Sequence, residues 1–322
     1  MQAAIPSQPN TVLLKLRRRV APIVLNGFFI AILIFLMLPI ALTLATSFKQ
    51  ESDVLRRPPV LLPCDNLEKG TFSLRHCRFV TEGYERVLAP KPNPQALFGV
   101  QLSGRMFSTY LPNTLLYATA SAAVVFVLAG MAGYAFSRYH FAGRKPLLVM
   151  ILAITGIPLL TNLLALYQMA VDLRKAGIPG YDERMFMVMV YVGFQLPFAI
   201  WVVKGFFDTI PRDLEEAAFI DGCTPIQALR HIVAPLALPG LLAVFLLCFV
   251  NVWNEFIAGF LLLARREART AMFGMYDFLS QNIINYQVVA AACVLVAAPV
   301  VILFLFTRNT FFRVMSEGAV KG

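Results

Sequence analysis

Six apolar runs divide the chain, at about 20–45, 107–136, 146–170, 185–207, 236–263 and 286–306. Each is at least as long as the roughly 18 to 20 residues an α-helix needs to cross a bilayer core, so the pattern predicts six transmembrane helices. Two polar segments between them are too long to be simple turns. The first, 50–105, carries Pro58-Pro59, Pro63, Pro90, Pro92 and Pro94, which oppose long helices. Its short apolar stretches (Phe79-Val80, Tyr84, Val87-Leu88, Leu97-Phe98) predict a small packed cap. The second, 208–235, is punctuated for helices throughout. Thr209 or Asp208 can cap a helix that begins at Pro211, where a missing N–H costs nothing. Asp213, Glu215 and Glu216 follow in turns where the helix dipole favours negative charge. Gly222 suits the left-handed residue that ends a helix, and Thr224-Pro225-Ile226-Gln227 has the spacing of a capping box. The expectation is two short helices hinged at Gly222, with Ala217 and Ala218 giving the first a face of little bulk. On spacing alone, this segment serves equally as an ordinary solvated loop or as a docking surface.

Composition narrows the class. Hydrophobic residues make up 58% of the chain, charged residues 14%, and the mean hydropathy is +0.69, values foreign to soluble domains. A net charge of +10 would suit nucleic acid, but the basic residues lie between apolar spans, where membrane topology accounts for them; no nucleic-acid partner is expected. An even number of spans puts both termini on one side. On that side stand Lys15, Arg17, Arg18, Arg19, Arg138, Arg144, Lys145, Lys204, Arg212, Arg230, Arg308, Arg313 and Lys321, against Arg174, Lys175, Arg184, Arg265, Arg266 and Arg269 in the short opposite loops. The bias predicts cytoplasmic termini, with Arg265-Arg266 running against it. The basic residues before the first run are those of a signal peptide, but the apolar core is longer than the ~7–15 residues of one, so an uncleaved span is expected. The chain therefore divides into a cytoplasmic tail (1–19), a first transmembrane helix (20–49), an extracytoplasmic insertion (50–105), a five-helix core (106–311) that contains the 208–235 loop, and a second cytoplasmic tail (312–322).

Glu216-Ala217-Ala218, Asp221-Gly222, Ile232 and Pro235 resemble the cytoplasmic "EAA" loop of permease subunits in bacterial ABC importers. Asp221, after the alanines, is similar to the carbohydrate-type branch, the maltose-transporter permease family. Leu38-Pro39-Ile40, Tyr110-Leu111-Pro112-Asn113-Thr114-Leu115, Gly133-Tyr134-Ala135-Phe136-Ser137-Arg138, Trp253-Asn254-Glu255-Phe256 and the tail at 316–322 resemble the same family; Ala234, where it usually has Leu, departs from it. The resemblance spans nearly all of the chain outside 1–19 and 50–105. It implies an all-α integral membrane fold in the bacterial inner membrane, with six transmembrane helices, a cytoplasmic two-helix coupling loop and a periplasmic insertion after the first helix. It also implies a second permease subunit, two ATPase subunits, an extracytoplasmic solute-binding protein, and a sugar or oligosaccharide as substrate. Residues 216–222 would dock into the ATPase, with Glu216 the first contact and Asp221 the second.

Candidate chemistry within the chain is sparse. No Gly-x-x-x-x-Gly-Lys-Ser/Thr loop occurs, so no ATP site is expected here; the chain is expected not to be an enzyme, and ATP and magnesium belong on the partner ATPase. His76, His140 and His231 are far apart in sequence, and no metal site or bound cofactor is expected. Cys64 and Cys77 fall in a segment expected to face an oxidising compartment, where they are either a disulfide or two free thiols. In the fifth span Asn251, Trp253, Asn254 and Glu255 include polar groups costly in lipid. They either line the pathway, with Trp253 or Phe256 stacking on a sugar ring, or hydrogen-bond between helices. Ala129, Gly130 and Gly133 permit close helix approach, to a partner or within the subunit. Pro158 and Pro197 are hinges or fixed kinks. Three alternatives stand beside this reading: the same machine for a glycerol phosphate ester or other small solute, a self-contained secondary carrier, and a membrane scaffold without a pathway.

Overall fold

The computed structural model describes residues 11–54, 65–66, 71–72, 78–88, 106–177, 181–279 and 285–319. It is an all-α, multi-pass membrane fold. Among the described residues, five helices are long and apolar enough to cross a bilayer: Pro22–Ser47, Met106–Arg138, Glu183–Asp208, Pro225–Trp253 and Tyr286–Arg308. By packing, the chain separates into two units, Met1–Tyr84 with Asn285–Val294, and Glu85–Ile284 with Leu295–Gly322.

In the first unit, α1 (Thr11–Ser47) carries the basic residues Lys15, Arg17, Arg18 and Arg19 near its start and is predominantly apolar from Pro22 onward, and none of its most apolar window is buried. Its end is fastened by an aromatic cluster. Ser47 Oγ and Tyr84 Oη share a 2.8 Å hydrogen bond, and Phe48 lies 5.1 Å from the Tyr84 ring and 6.2 Å from that of Phe79. The proline-rich segment forms only short elements among the described residues: α2 (Glu51–Val54), α3 (Glu82–Leu88) and a two-residue antiparallel ladder, β1 (Asp65–Asn66) with β2 (Thr71–Phe72). Cys64 and Cys77 lie outside the described residues.

The second unit is built on α4 (Leu111–Arg138), α7 (Glu183–Asp208) and α10 (Ala234–Trp253). Ala118, Ala122, Val125 and Ala129 recur on one face of α4 at helical spacing and are fully buried. Small residues set the approach distance. A Cβ on Gly133 would fall 2.9 Å from Val203 Cγ1, and one on Gly240 2.3 Å from Phe206 Cγ. The small-residue motif of the second span therefore serves packing within the subunit. A short π-helical turn (Met106–Tyr110) leads into α4, and the first turns of α4 staple the loop before α12 (Ala271–Leu279). Asn113 Nδ2 donates to the Glu267 and Arg269 carbonyls at 2.7 and 3.1 Å, Tyr117 Oη donates to the Ala268 carbonyl at 2.7 Å, and Thr114 Oγ1 accepts from the Ala271 N–H at 2.7 Å.

The run at 146–170 is not one helix. It is α5 (Arg144–Ile154) and α6 (Leu159–Lys175), neither long enough to span alone. Thr155, Gly156 and Ile157 close the end of α5 with three-residue turns. Pro158 has no N–H and disfavours helical geometry in the residue before it, which explains the break. The fifth run also stops early. α10 ends at Trp253, and α11 (Ile257–Leu262) is a separate short helix. The last helix, α13 (Tyr286–Ala319), passes through both units.

The Arg265 conflict with the charge bias has a local cause. Glu183, nearly inaccessible, pairs with Arg174 Nε at 3.4 Å, approaches Arg265 Nε at 4.0 Å and accepts the Arg265 backbone N–H at 3.1 Å. Arg184 donates to the Glu267 carbonyl at 3.0 Å. These cations hold loop to helix, so local packing accounts for their place there.

Candidate functional site

The segment between α7 and α10 contains two short helices, α8 (Asp213–Ile220) and α9 (Pro225–Ala228). The joint between them is a Schellman turn. Cys223 N–H donates to the Ala218 carbonyl at 2.9 Å, Gly222 N–H donates to the Phe219 carbonyl at 3.1 Å, and Gly222 has φ +86. Thr224 and Gln227 then make both halves of the anticipated capping box. A five-residue π-helical turn, Leu229–Val233, carries the chain into α10. The start of α8 differs from expectation. It begins at Asp213 rather than Pro211, with no side-chain cap. Thr209 Oγ1 instead donates to the Phe206 carbonyl at 2.8 Å, and Asp208 is held by Lys204 and by Ser137 Oγ at 2.7 Å. Both side chains close the end of α7, so neither is free to cap the next helix.

α8 has two unlike faces. Glu216 and Ala217 point outward, as do Asp221 and Gly222 beyond them, together with Leu214, Phe219 and the largely bare Ile220. Ile226 of α9 is 77% exposed beside them, and Pro235 is exposed at the head of α10, with Ile232 half-buried. Ala218 faces inward, and so does Glu215, a residue that sequence reasoning used only as first-turn charge. Glu215 Oε2 accepts from Tyr134 Oη at 2.8 Å, and Oε1 accepts from Arg138 Nε. Arg138 Nη2 also donates to the Ile210 carbonyl, and Arg212 Nη2 to the Ser137 carbonyl, both at 3.0 Å. The available signal was Arg138, a cation closing the second span, with two adjacent carboxylates on the same predicted side.

The intramembrane candidates separate. Trp253 is 1% exposed, stacked on Phe249 at 5.5 Å, with Nε1 donating to the Val296 carbonyl at 3.2 Å. Glu255 caps α11. It accepts the N–H groups of Ala258 and Gly259 at 2.7 and 3.1 Å and the Tyr191 hydroxyl at 2.8 Å. Asn254 is exposed, and its side chain donates to the Val250 carbonyl at 2.9 Å. Asn251, also exposed, reaches Gln195 Oε1 at 3.4 Å. Asn251 and Gln195 border a cleft of about 1030 Å³ beside the α5–α6 break, shared with Thr155, Asn162, Phe194 and Phe198. The rest of its wall is largely aliphatic, and among the described residues Asp182 is its one charged group. Phe256 packs on Phe260 and Tyr276 at 5.4 and 5.5 Å. Among the described residues no group of acidic, His or Cys side chains is arranged to hold a metal.

Comparison with known proteins places this arrangement. Residues 126–316 match the family described as "Binding-protein-dependent transport system inner membrane component". The maltodextrin transport system permease protein MdxG of Bacillus subtilis is 32% identical over 67% of this chain and 77% of its own length. The maltose/maltodextrin transport system permease protein MalG of Photorhabdus laumondii is 34% identical over 66% of this chain and 72% of its own. Among solved structures, a chain of a bacterial ABC transporter involved in the import of the acidic polysaccharide alginate superposes with a TM-score of 0.69, covering 95% of this chain and 100% of that one at 20% identity, a likeness of fold. This chain therefore belongs to the inner-membrane components of binding-protein-dependent transport systems, as a permease of the carbohydrate-type ABC importers.

Proposed function

We propose that this chain and a second permease together line the path of a sugar or oligosaccharide across the inner membrane. A solute-binding protein delivers the sugar from outside, and two ATPase subunits, which carry ATP and magnesium, drive its passage. One observation carries the reading. α8 and α9, joined by the Gly222 turn and the Thr224–Gln227 capping box, leave their outer face bare, acidic at Glu216 and Asp221 and apolar at Phe219, Ile220 and Ile226. Solvent-facing side chains of that size on a fixed element are suited to a partner surface. On this reading Glu216, Ala217, Ala218, Asp221, Gly222, Ile232 and Pro235 form or shape the surface that docks into the ATPase.

Six crossings follow if α5 and α6 count as one interrupted span. Both termini and the α8–α9 pair are then cytoplasmic, and 50–105 is extracytoplasmic. The cleft beside the interruption is this subunit's share of the pathway. Asn251 and Asn254 face it or the partner, while Trp253 and Glu255 hold its wall in shape. Neutral amides at Asn162, Gln195 and Asn251, with Asp182 as the only charge among the described lining residues, suit hydroxyl-rich, uncharged solutes. Those residues offer a phosphate ester no cation to pair with, which favours the sugar among the alternatives. The maltodextrin and maltose permeases to which the chain is similar support the same substrate class.

Reconstitution in proteoliposomes tests this. Uptake of a neutral oligosaccharide should require the partner permease, the ATPase with ATP, and the binding protein together. Sugar movement by this chain without nucleotide would overturn the proposal.

A further inference from the structure

We infer that Glu215, not the exposed Glu216 beside it, is the positioning residue that joins the docking segment to the transmembrane helices. The inference rests on the docking role of α8 proposed above and adds the route by which displacement leaves that helix. The inner face of α8 is tied to α4 through a single carboxylate: Tyr134 Oη donates to Oε2 at 2.8 Å and Arg138 Nε to Oε1. The Arg138 and Glu215 side chains are 9% and 6% exposed. The tie then spreads. Arg138 Nη2 reaches the Ile210 carbonyl between α7 and α8 at 3.0 Å, Arg212 Nη2 reaches the Ser137 carbonyl at 3.0 Å, and Ser137 Oγ reaches Asp208 Oδ1 at 2.7 Å. The end of α4, the end of α7, the linker and α8 are thereby closed into one bonded ring. Where Gly133 meets Val203, α4 and α7 are packed so closely that they move as a pair.

By contrast, the far end of α8 is held by the backbone bonds of the Gly222 turn, Cys223 N–H to the Ala218 carbonyl at 2.9 Å and Gly222 N–H to the Phe219 carbonyl at 3.1 Å, which tie it to α9 and not to α4 or α7. Rotating α8 against α4 means parting a desolvated ion pair, which is costly. Movement imposed on the outer face of α8 therefore reaches α4 and α7 together.

The test uses the complete importer, with both permeases, the ATPase and the binding protein, in proteoliposomes. Glu215→Gln keeps the volume and removes the charge. The ATPase should still co-purify and hydrolyse ATP on addition of loaded binding protein, while sugar moved per ATP falls about fivefold or more, the low end of a typical coupling energy. Glu215→Asp should restore part of that ratio. Glu216→Gln should instead weaken ATPase co-purification, which tests the docking reading separately. An unchanged sugar-to-ATP ratio in an assembled Glu215→Gln complex overturns the inference. So does a loss of ATPase binding in that variant, which would make Glu215 a docking contact. If Glu215→Gln does not accumulate, Tyr134→Phe decides. It keeps the ring and removes the Tyr134 bond to Glu215 Oε2, so a lowered ratio in the assembled complex supports the inference and a wild-type ratio overturns it.

Discussion

Gly133 leaves no room for a side chain: a Cβ there would meet Val203 Cγ1 at 2.9 Å and the Lys204 backbone nitrogen at 3.1 Å. Valine is stiff at χ1 and the backbone cannot step aside, so Gly133→Ala should overpack the α4–α7 contact. A loss of about 1–3 kcal/mol follows, read as a lower thermal midpoint of the purified complex in detergent. Gly205→Ala, with nothing within 4 Å, should leave the midpoint unchanged or raise it, because alanine is the better helix former. The sequence showed that close approach at Gly133 is permitted, since a small residue leaves room for it. It did not name the neighbour, because a helical period says which residues share a face and not what that face meets. The same limit hid Glu215. Two adjacent carboxylates on a short helix look alike until the opposing surface is known, and that surface is supplied by Tyr134 and Arg138, about eighty positions earlier.

At the scale of the element, local chemistry was the readable part. The Gly222 turn and the Thr224–Gln227 box are written in residues only a few positions apart, and they form as anticipated. With φ +86, Gly222 occupies a conformation that costs residues with a Cβ roughly 1–2 kcal/mol. Gly222→Val should therefore tilt α9 against α8 and reduce sugar transport per ATP in reconstituted complexes. Gly222→Asn, which visits the left-handed region more readily, should retain most of it. Normal coupling in the valine variant would mean that the angle between the two helices is immaterial. The start of α8 was misread for a related reason. Asp208 and Thr209 are competent caps, but they close the helix behind them. The third span was misread because hydropathy registers composition along 146–170 and is blind to a three-residue turn within it. Pro158 was visible as a kink or hinge, yet whether a proline bends a helix or ends it depends on the residues before it. Here Thr155, Gly156 and Ile157 turn out of the helix.

At the scale of the whole molecule, the fold class and the division into apolar spans were set by hydrophobic length, the strongest signal a membrane protein carries. Side assignment rests on charge bias and is open to a direct check. In a variant whose 5 native cysteines are replaced, Ile220→Cys and Ile226→Cys should react with an impermeant thiol reagent only from the cytoplasmic face. Bound ATPase should protect them, because these side chains are 87% and 77% exposed in the isolated chain. Phe79→Cys should react only from the opposite face. Labelling of Ile220→Cys from outside would invert the topology and remove the docking role with it.

The interrupted third span has a consequence for leakage. At 11 residues, α5 rises only about 16 Å, half the thickness of a hydrocarbon layer, and the carbonyls of Leu152, Ala153 and Ile154 accept from the N–H groups of Thr155, Gly156 and Ile157 as the chain leaves the helix. No side chain caps α6, so its first N–H groups call for water or protein, and the break borders the cleft edged by Thr155 and Asn162. Where α5 and α6 cross as one interrupted span, such a moist notch at half depth is an unfinished hole in the bilayer, and insulation becomes a property of how the two permeases close upon each other.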